Sequence, residues 1–488
     1  MTQENTIGWN FSSSYLSLPD HFYAYTNPTP VQNPDWVIIN EQLAEDLDLD
    51  VKLLTSQEGL AILSGNRIPP DSKPIAQAYA GHQFGYFTML GDGRAILLGE
   101  HQLKNGDHVD IQLKGAGKTP YSRGGDGRAS LAPMLREFLI SEAMHGLGIS
   151  TTRALAVVLT GEDVYREQAL PGAILTRVAS SHLRVGTFQY ARKYGTEANL
   201  KRLADYAIAR HFPQLEEKSN CYLAFLKEVV ERQASLIAKW DLVGFVHGVM
   251  NTDNMTIGGE TIDYGPCAFI DRYEPATVFS SIDQHGRYAF NQQKPVAVWN
   301  LARLAEALLP ILADEPKDAI HGAESLLNYF TEVYEEEWLT GMKAKLGFFA
   351  ETDIHRSLID QLLVLMKKFQ ADYTDTFRAL TIGDFSKQNW FKSVEFQAWH
   401  KRWKGKLNDQ SNSEEDIIAL MKHSNPAIIP RNFQVEAVLK KAVNDRDYQP
   451  FKQFYQVLKD PYAYSEQQLS YTALPPNSDQ LYQTFCGT

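Results

Sequence analysis

Residues 247–265, HGVMNTDNMTIGGETIDYG, space a histidine, an asparagine and an Asp-aromatic-Gly triplet as phosphotransferase loops do. Kinase-type loops run His-x-Asp, then four residues, then Asn, and a later Asp-aromatic-Gly holds a metal. His247, Asn254, Asp263, Tyr264 and Gly265 fill that pattern, but Val249 stands where the proton-accepting Asp belongs. Valine cannot take a proton, so either the chemistry has moved or the site is dead. Asn254 and Asp263 offer neutral and anionic oxygens of the kind Mg²⁺ or Mn²⁺ prefers. As plain turn residues each would mean little; the whole pattern together means more.

Moving a phosphoryl or nucleotidyl group also requires cations on the phosphates and backbone packed close to the charge. Lys114 ends the run VDIQLK, and Glu137 follows 23 residues later in a helical pattern, matching a strand lysine steadied by a helix glutamate. Each alone reads as a surface charge; their order ahead of the 247–265 loop favours a paired role. Gly91-Asp92-Gly93-Arg94 precedes this lysine, and Lys114-Gly115-Ala116-Gly117-Lys118 leads on to Gly124-Gly125-Asp126-Gly127-Arg128. Glycines admit phosphates to the backbone N–H groups, and arginines add bidentate contacts. Arg177 and Arg184, in TRVASSHLR, enlarge the cation set beyond a single lysine. GAGKT resembles the end of a Walker A loop, but Gln112 occupies the place of that motif's first glycine, which excludes it.

The elements that must carry these residues fall into two halves. Residues 1–75 are rich in loop-forming proline and read as an N-terminal extension. Residues 76–197 are strand-rich: Asn105-Gly106-Asp107 marks a hairpin within 95–114, and further turns are expected at 161–163 and 171–172. One helix is expected over 131–147. From 198 to 300 helices flank the catalytic-like loop, with short β-like pieces at MTIGG and TIDYG. Residues 301–488 are helical, and the polar stretch 407–418 is expected to enter a helix through Ser413 as N-cap. Strands before helices is the order of a kinase's two lobes, so the expected class is α+β with a kinase-like bilobal arrangement.

The net charge of −12 argues against a general nucleic-acid binder, although local arginines can still hold a nucleotide. No apolar run approaches bilayer length, and the N-terminus lacks signal or transit character, so no membrane partner and a cytoplasmic location are expected. Cys221, Cys267 and Cys486 are too few for a disulfide framework; a Cys267–Cys486 redox pair is a bare candidate on spacing.

Five segments together resemble the selenoprotein O family over nearly the whole chain: 79–100, 111–129, 135–155, 247–266 and 425–432. Cys486 stands where some members carry selenocysteine, and Cys267 where many carry Phe. The resemblance implies a protein-kinase-like fold that transfers AMP from ATP, bound in a flipped orientation, to Ser, Thr or Tyr hydroxyls of proteins, with self-modification as one outcome. It implies that Gly91, Gly93, Arg94, Lys114, Asp126, Gly127, Arg177 and Arg184 contact ATP, and that Glu137 pairs with Lys114. Asn254 and Asp263 would hold Mg²⁺ or Mn²⁺, with Asp263 also at the nucleotide, and Asp253 would accept the proton. A true kinase and a non-catalytic ATP-binding pseudokinase scaffold are the competing readings.

Overall fold

The computed structural model describes residues 7–350, 356–475 and 482–484. Its centre is an antiparallel sheet whose main path uses seven strands: β1 (Tyr23–Tyr25), β2 (Asp35–Ile39), β3 (Ile75–Gln77), β4 (Ala95–Gln102), β5 (His108–Lys114), β6 (Arg153–Tyr165) and β7 (Ala169–Ala179). They lie in the order β1-β3-β4-β5-β7-β6-β2, and two short strands join β4 and β7 at the side. The β4–β5 hairpin turns at Gly106, whose φ of +93° suits glycine.

Alternation along the strands sorts side chains to two faces. Ile96, Leu98, Ile111, Leu113 and Ile174 pack with Leu47, Leu54 and Leu63 from the short helices of 41–63. Leu97, Val157 and Leu175 turn the other way, against Leu135, Phe138 and Leu139 of helix α1 (Leu131–Gly146). The register places Lys114 opposite Leu175 and Gln112 opposite Arg177. Lys114 and Arg177 therefore emerge on the face that α1 covers.

Below the sheet, helices α2 (Val185–Tyr194), α3 (Glu197–His211), α4 (Cys221–Val243), α5 (Gln293–Leu312) and α6 (Pro316–Lys345) share the large core with α1. Further helices follow at Arg356–Lys368, Tyr373–Ile382, Val394–Asn408 and Glu414–Ser424, then α7 (Asn432–Asn444) and α8 (Gln449–Leu458). Ser413 caps its helix by accepting from Asp416 N–H at 3.1 Å.

Several local expectations shift. β6 runs unbroken through 161–163 because Gly161, at φ +72°, serves a bulge instead of a turn. Pro171 pairs with Asp163 inside the β6–β7 ladder, and the chain reverses at Arg166-Glu167-Gln168. MTIGG and TIDYG contribute only single bridges, from Thr256 to Arg184 and from Thr261 to Thr151; the paired strands there are Phe245–Val246 and Ala268–Phe269. The loop-rich segment 1–75 supplies both outermost strands of the main path. The 23-residue stretch Phe290–Leu312 is long and apolar enough to cross a bilayer by composition, which departs from the expected absence of such a run. Half of its apolar 18-residue window is buried inside the molecule; Leu301, Leu304 and Leu308 are among the buried residues of the stretch.

Candidate active site

A cleft of about 690 Å³ opens between the sheet and the helical body, lined by residues of both glycine-rich loops and of the 247–265 segment. Its floor is ionic. Lys114 Nζ donates to Glu137 Oε2 at 2.5 Å and to Asp263 Oδ1 at 3.2 Å. Arg177 Nη2 reaches Glu137 Oε1 at 2.5 Å and Asp263 Oδ1 at 2.6 Å, and Arg184 Nη1 reaches Asp263 Oδ2 at 2.7 Å. Arg177 and Arg184 are both buried. Against the pull of burial, Arg177, Arg184 and Lys114 hold the Asp263 carboxyl well below the usual range. Burial, with Arg177 beside it, lowers the Lys114 ammonium. So dense a buried cluster persists only because each charge has partners.

The 247–265 segment aims its side chains by tertiary ties. His247 sits beneath it, stacked on Trp240, with Nε2 2.8 Å from the carbonyl oxygen of Ile262. Asp263 holds φ +63°, a left-handed conformation that is costly outside glycine and turns its carboxylate into the cleft. Tyr264 is buried and hydrogen-bonded to Thr151. Val249 lines the cleft as an inert wall.

Asp253 lies in a short 3-10 turn, Thr252–Asn254, beside the cluster but outside its ion pairs. Its backbone carbonyl accepts from Arg184 Nη1 at 2.8 Å, while its Oδ1 is buried without a hydrogen-bond partner. Burial pushes its carboxyl up to about 6, with Arg184 opposing. A buried carboxylate with a free oxygen and a raised pKa suits proton acceptance near neutrality.

Asn254 Oδ1 is likewise buried without a partner, so a hard divalent cation would satisfy it. The oxygens of Asp263 accept from Lys114, Arg177, Arg184 and Asn254 Nδ2, which uses about four lone-pair sites. Among the described residues no three His, Cys, Asp or Glu side chains form a metal-holding group. Asn254 Oδ1 fits a site completed by phosphate oxygens, the usual arrangement for Mg²⁺, and Asp263 would join it by exchanging one of its present donors for the cation.

The glycine-rich loops form the rim. A Cβ on Gly91, at φ +103°, would meet the Tyr121 ring at 2.4 Å, and one on Gly127 would meet the Gly117 carbonyl at 2.0 Å. Gly93 lies against the Tyr121 carbonyl. Arg94 lines the cleft with no carboxylate partner among the described residues. Asp126 is exposed at the mouth and paired with Arg166 at 2.8 Å, away from the floor.

The structure thus brings Lys114, Glu137, Arg177, Arg184, Asp253, Asn254 and Asp263 together and leaves Asp126 at the edge. Three further residues support them. Asp92 is buried, accepts from Gln77 N–H at 3.1 Å and lies 4.0 Å from Arg184. Tyr79 places its ring 4.6 Å beneath the Arg184 guanidinium, and Gln112 accepts from Arg177 at 3.3 Å. Asp92 and Gln112 stood within runs already singled out, but nothing local marks their burial. Cys267 is buried, its thiol pushed up by burial to about 12; Cys486 lies outside the described residues.

Comparison with known proteins gives the chain its family. Residues 5–459 match the family model described as protein adenylyltransferase SelO. The chain is 58% identical over 481 residues to a protein nucleotidyltransferase YdiU of Geobacillus kaustophilus, covering 99% of each chain. It is 57% identical to the protein of the same name from Brevibacillus brevis, covering 99% of this chain and 98% of that one. With a family model spanning nearly all of it and relatives matched end to end, the chain belongs to the SelO family of protein adenylyltransferases.

Proposed function

We propose that this protein transfers AMP from ATP to Ser, Thr or Tyr hydroxyls of acceptor proteins, itself included, on a protein-kinase-like bilobal framework. The carrying observation is the cleft floor, which carries the buried cations Lys114, Arg177 and Arg184. Such a floor suits a polyphosphate tail, whose negative oxygens pair with those cations, better than a neutral adenine ring. ATP accordingly enters tail first, with its β- and γ-phosphates on the cations and its α-phosphate outward, near Asp253.

Asp253 Oδ1 takes the proton of the acceptor hydroxyl as that oxygen bonds to the α-phosphorus. The bond from the α-phosphorus to the bridging oxygen breaks, and pyrophosphate leaves onto Lys114, Arg177 and Arg184. Glu137 holds Lys114 and Arg177 in place between turnovers. Asn254 and Asp263 would hold Mg²⁺ or Mn²⁺, which neutralises phosphate charge. Arg94 and the rim glycines would close over the nucleotide. Val249 needs no carboxylate because the γ-phosphate is not the group transferred.

ATP labelled at the α-phosphate is expected to mark acceptor proteins, and ATP labelled at γ is not. Asp253→Ala is expected to cut the α-label by roughly 10²- to 10⁴-fold, the usual range for a lost general base, with ATP still bound. Transfer of the γ-label would identify a kinase instead. Nucleotide binding with neither label transferred would identify a scaffold.

A further inference from the structure

The hairpin Ala80–Gln83/Tyr86–Met89 stands outside the main sheet and faces two ways. Its inner strand is fastened to the catalytic loop. His82 N–H donates to Thr252 Oγ1 at 2.7 Å, and Phe84 N–H to Asn251 Oδ1 at 3.0 Å. A Cβ on Gly81 would come within 3.1 Å of Asp253 Oδ1, so this strand lies directly against that carboxylate. Tyr79 and Gln83 carry the same stretch into the cleft.

The outer strand, Tyr86–Met89, has no further strand partner among the described residues. It leaves Tyr86, Phe87 and Met89 exposed, Tyr86 to 79%. An open strand edge carrying apolar side chains is a template for another strand. Beside it, the His82 ring meets Phe87 at 5.3 Å and Trp299 at 5.2 Å, both edge-on. Arg287 lies 4.8 Å over the Trp299 ring with no carboxylate partner among the described residues. Arg303, over the same ring, is paired with Glu306.

We infer that this hairpin is the docking edge for the acceptor protein. An extended acceptor segment adds as a strand along Tyr86–Met89, sets apolar side chains against Tyr86 and Met89, and places an acidic residue on Arg287. Past the hairpin the segment runs on to the cleft, where Tyr79 and Gln83 lie and its hydroxyl meets Asp253. The inference rests on the AMP-transfer reading. The hairpin that carries this edge reaches the cleft through Tyr79 and Gln83 on its inner side, which a site for an unrelated partner would not require. Strand addition works through main-chain hydrogen bonds, so it suits an enzyme whose acceptors share a hydroxyl and not a fold. The uncompensated Arg287 selects an acid, and a second copy of a chain of net charge −12 is a poor general match because like charges repel.

A library of Ser-containing peptides with randomised flanks, incubated with α-labelled ATP, reads this edge. The wild type is expected to select an apolar residue on each face of the segment, opposite Tyr86 and opposite Met89, and Asp or Glu at one more position. Arg287→Glu is expected to turn the acidic preference into a basic one by roughly tenfold, as charge complementarity at an interface predicts. Tyr86→Asp combined with Met89→Asp is expected to remove the apolar preference. Both variants should bind ATP as the wild type does in calorimetry. Flat selection by a wild type that still incorporates AMP overturns the docking edge and leaves the transfer reading intact, as does selection that neither variant alters. Absence of label from the library, from casein and from the enzyme itself overturns both. A dimer in light scattering that the Tyr86/Met89 variant dissolves assigns the edge to a second copy and also overturns the inference.

Discussion

Asp263 and Arg94 show two ways a charged residue can be held in the cleft. Asp263 is surrounded by cations that the protein itself assembles, and Arg177 binds both Asp263 and Glu137. Arg177→Met removes one guanidinium from the buried Glu137 and the partly exposed Asp263, and is expected to cost about 3–5 kcal/mol of stability in denaturant unfolding. Arg94 has no such partner among the described residues, so Arg94→Ala should leave unfolding unchanged within about 0.5 kcal/mol. The same variant should weaken ATP binding by calorimetry, and equal affinity would remove Arg94 from the nucleotide site. At this scale the sequence was informative where residue type and spacing carry chemistry, as in the order Lys114, Glu137, Asn254, Asp263. It was silent on Asp92 and Tyr79, whose relation to Arg184 depends on strands and loops far apart in the chain.

Elements aim these residues, and their tolerances can be measured. The rim loop doubles back so that Gly127, at φ +69°, touches the Gly117 carbonyl. Gly127→Ala therefore strains the backbone and separates the two arms of the loop. Weaker ATP binding and a lower Tm are expected together; wild-type affinity would show the rim to be idle. Helix α4 carries a different sensitivity. Burial pushes the Asp241 carboxyl up to about 7, against hydrogen bonds from Tyr334 and Gln293. The folded protein thus binds this proton more tightly than the unfolded chain. Its contribution to stability is largest in acid and is lost as pH rises towards about 7. The drop in Tm between about pH 5 and pH 8 should be smaller in Asp241→Asn than in the wild type, and identical drops would refute this. The β4–β5 hairpin was legible because Asn-Gly-Asp is a local turn signal. Gly161 and Pro171 misled because glycine and proline serve bulges and edge ladders as well as turns.

Across the whole molecule, the helical C-terminal region is part of the site's scaffold. α7 and α8 pack on α1, the helix that presents Glu137. Phe138, next to that glutamate, meets Phe451 at 6.2 Å and Tyr455 at 5.2 Å. Arg136 donates to Glu436 of α7 at 2.9 Å and to the Cys267 carbonyl at 2.8 Å, joining three distant stretches at the cleft wall. Arg431 likewise clamps Asp271 and Asp372. Sequence order displayed strands followed by helices, yet it could not show residues 1–75 edging the sheet or the last helices backing α1. Those contacts join positions far apart in the chain, where no local pattern reaches. Phe451 is fully buried, so Phe451→Ala should cost about 3–5 kcal/mol as a large cavity opens behind α1. Because α1 carries Glu137, the same change should weaken ATP binding, although Phe451 does not line the cleft. Calorimetry should still show a single unfolding transition, displaced to lower temperature. A second, independent transition with ATP affinity intact would mean that the C-terminal helices fold apart from the site they back.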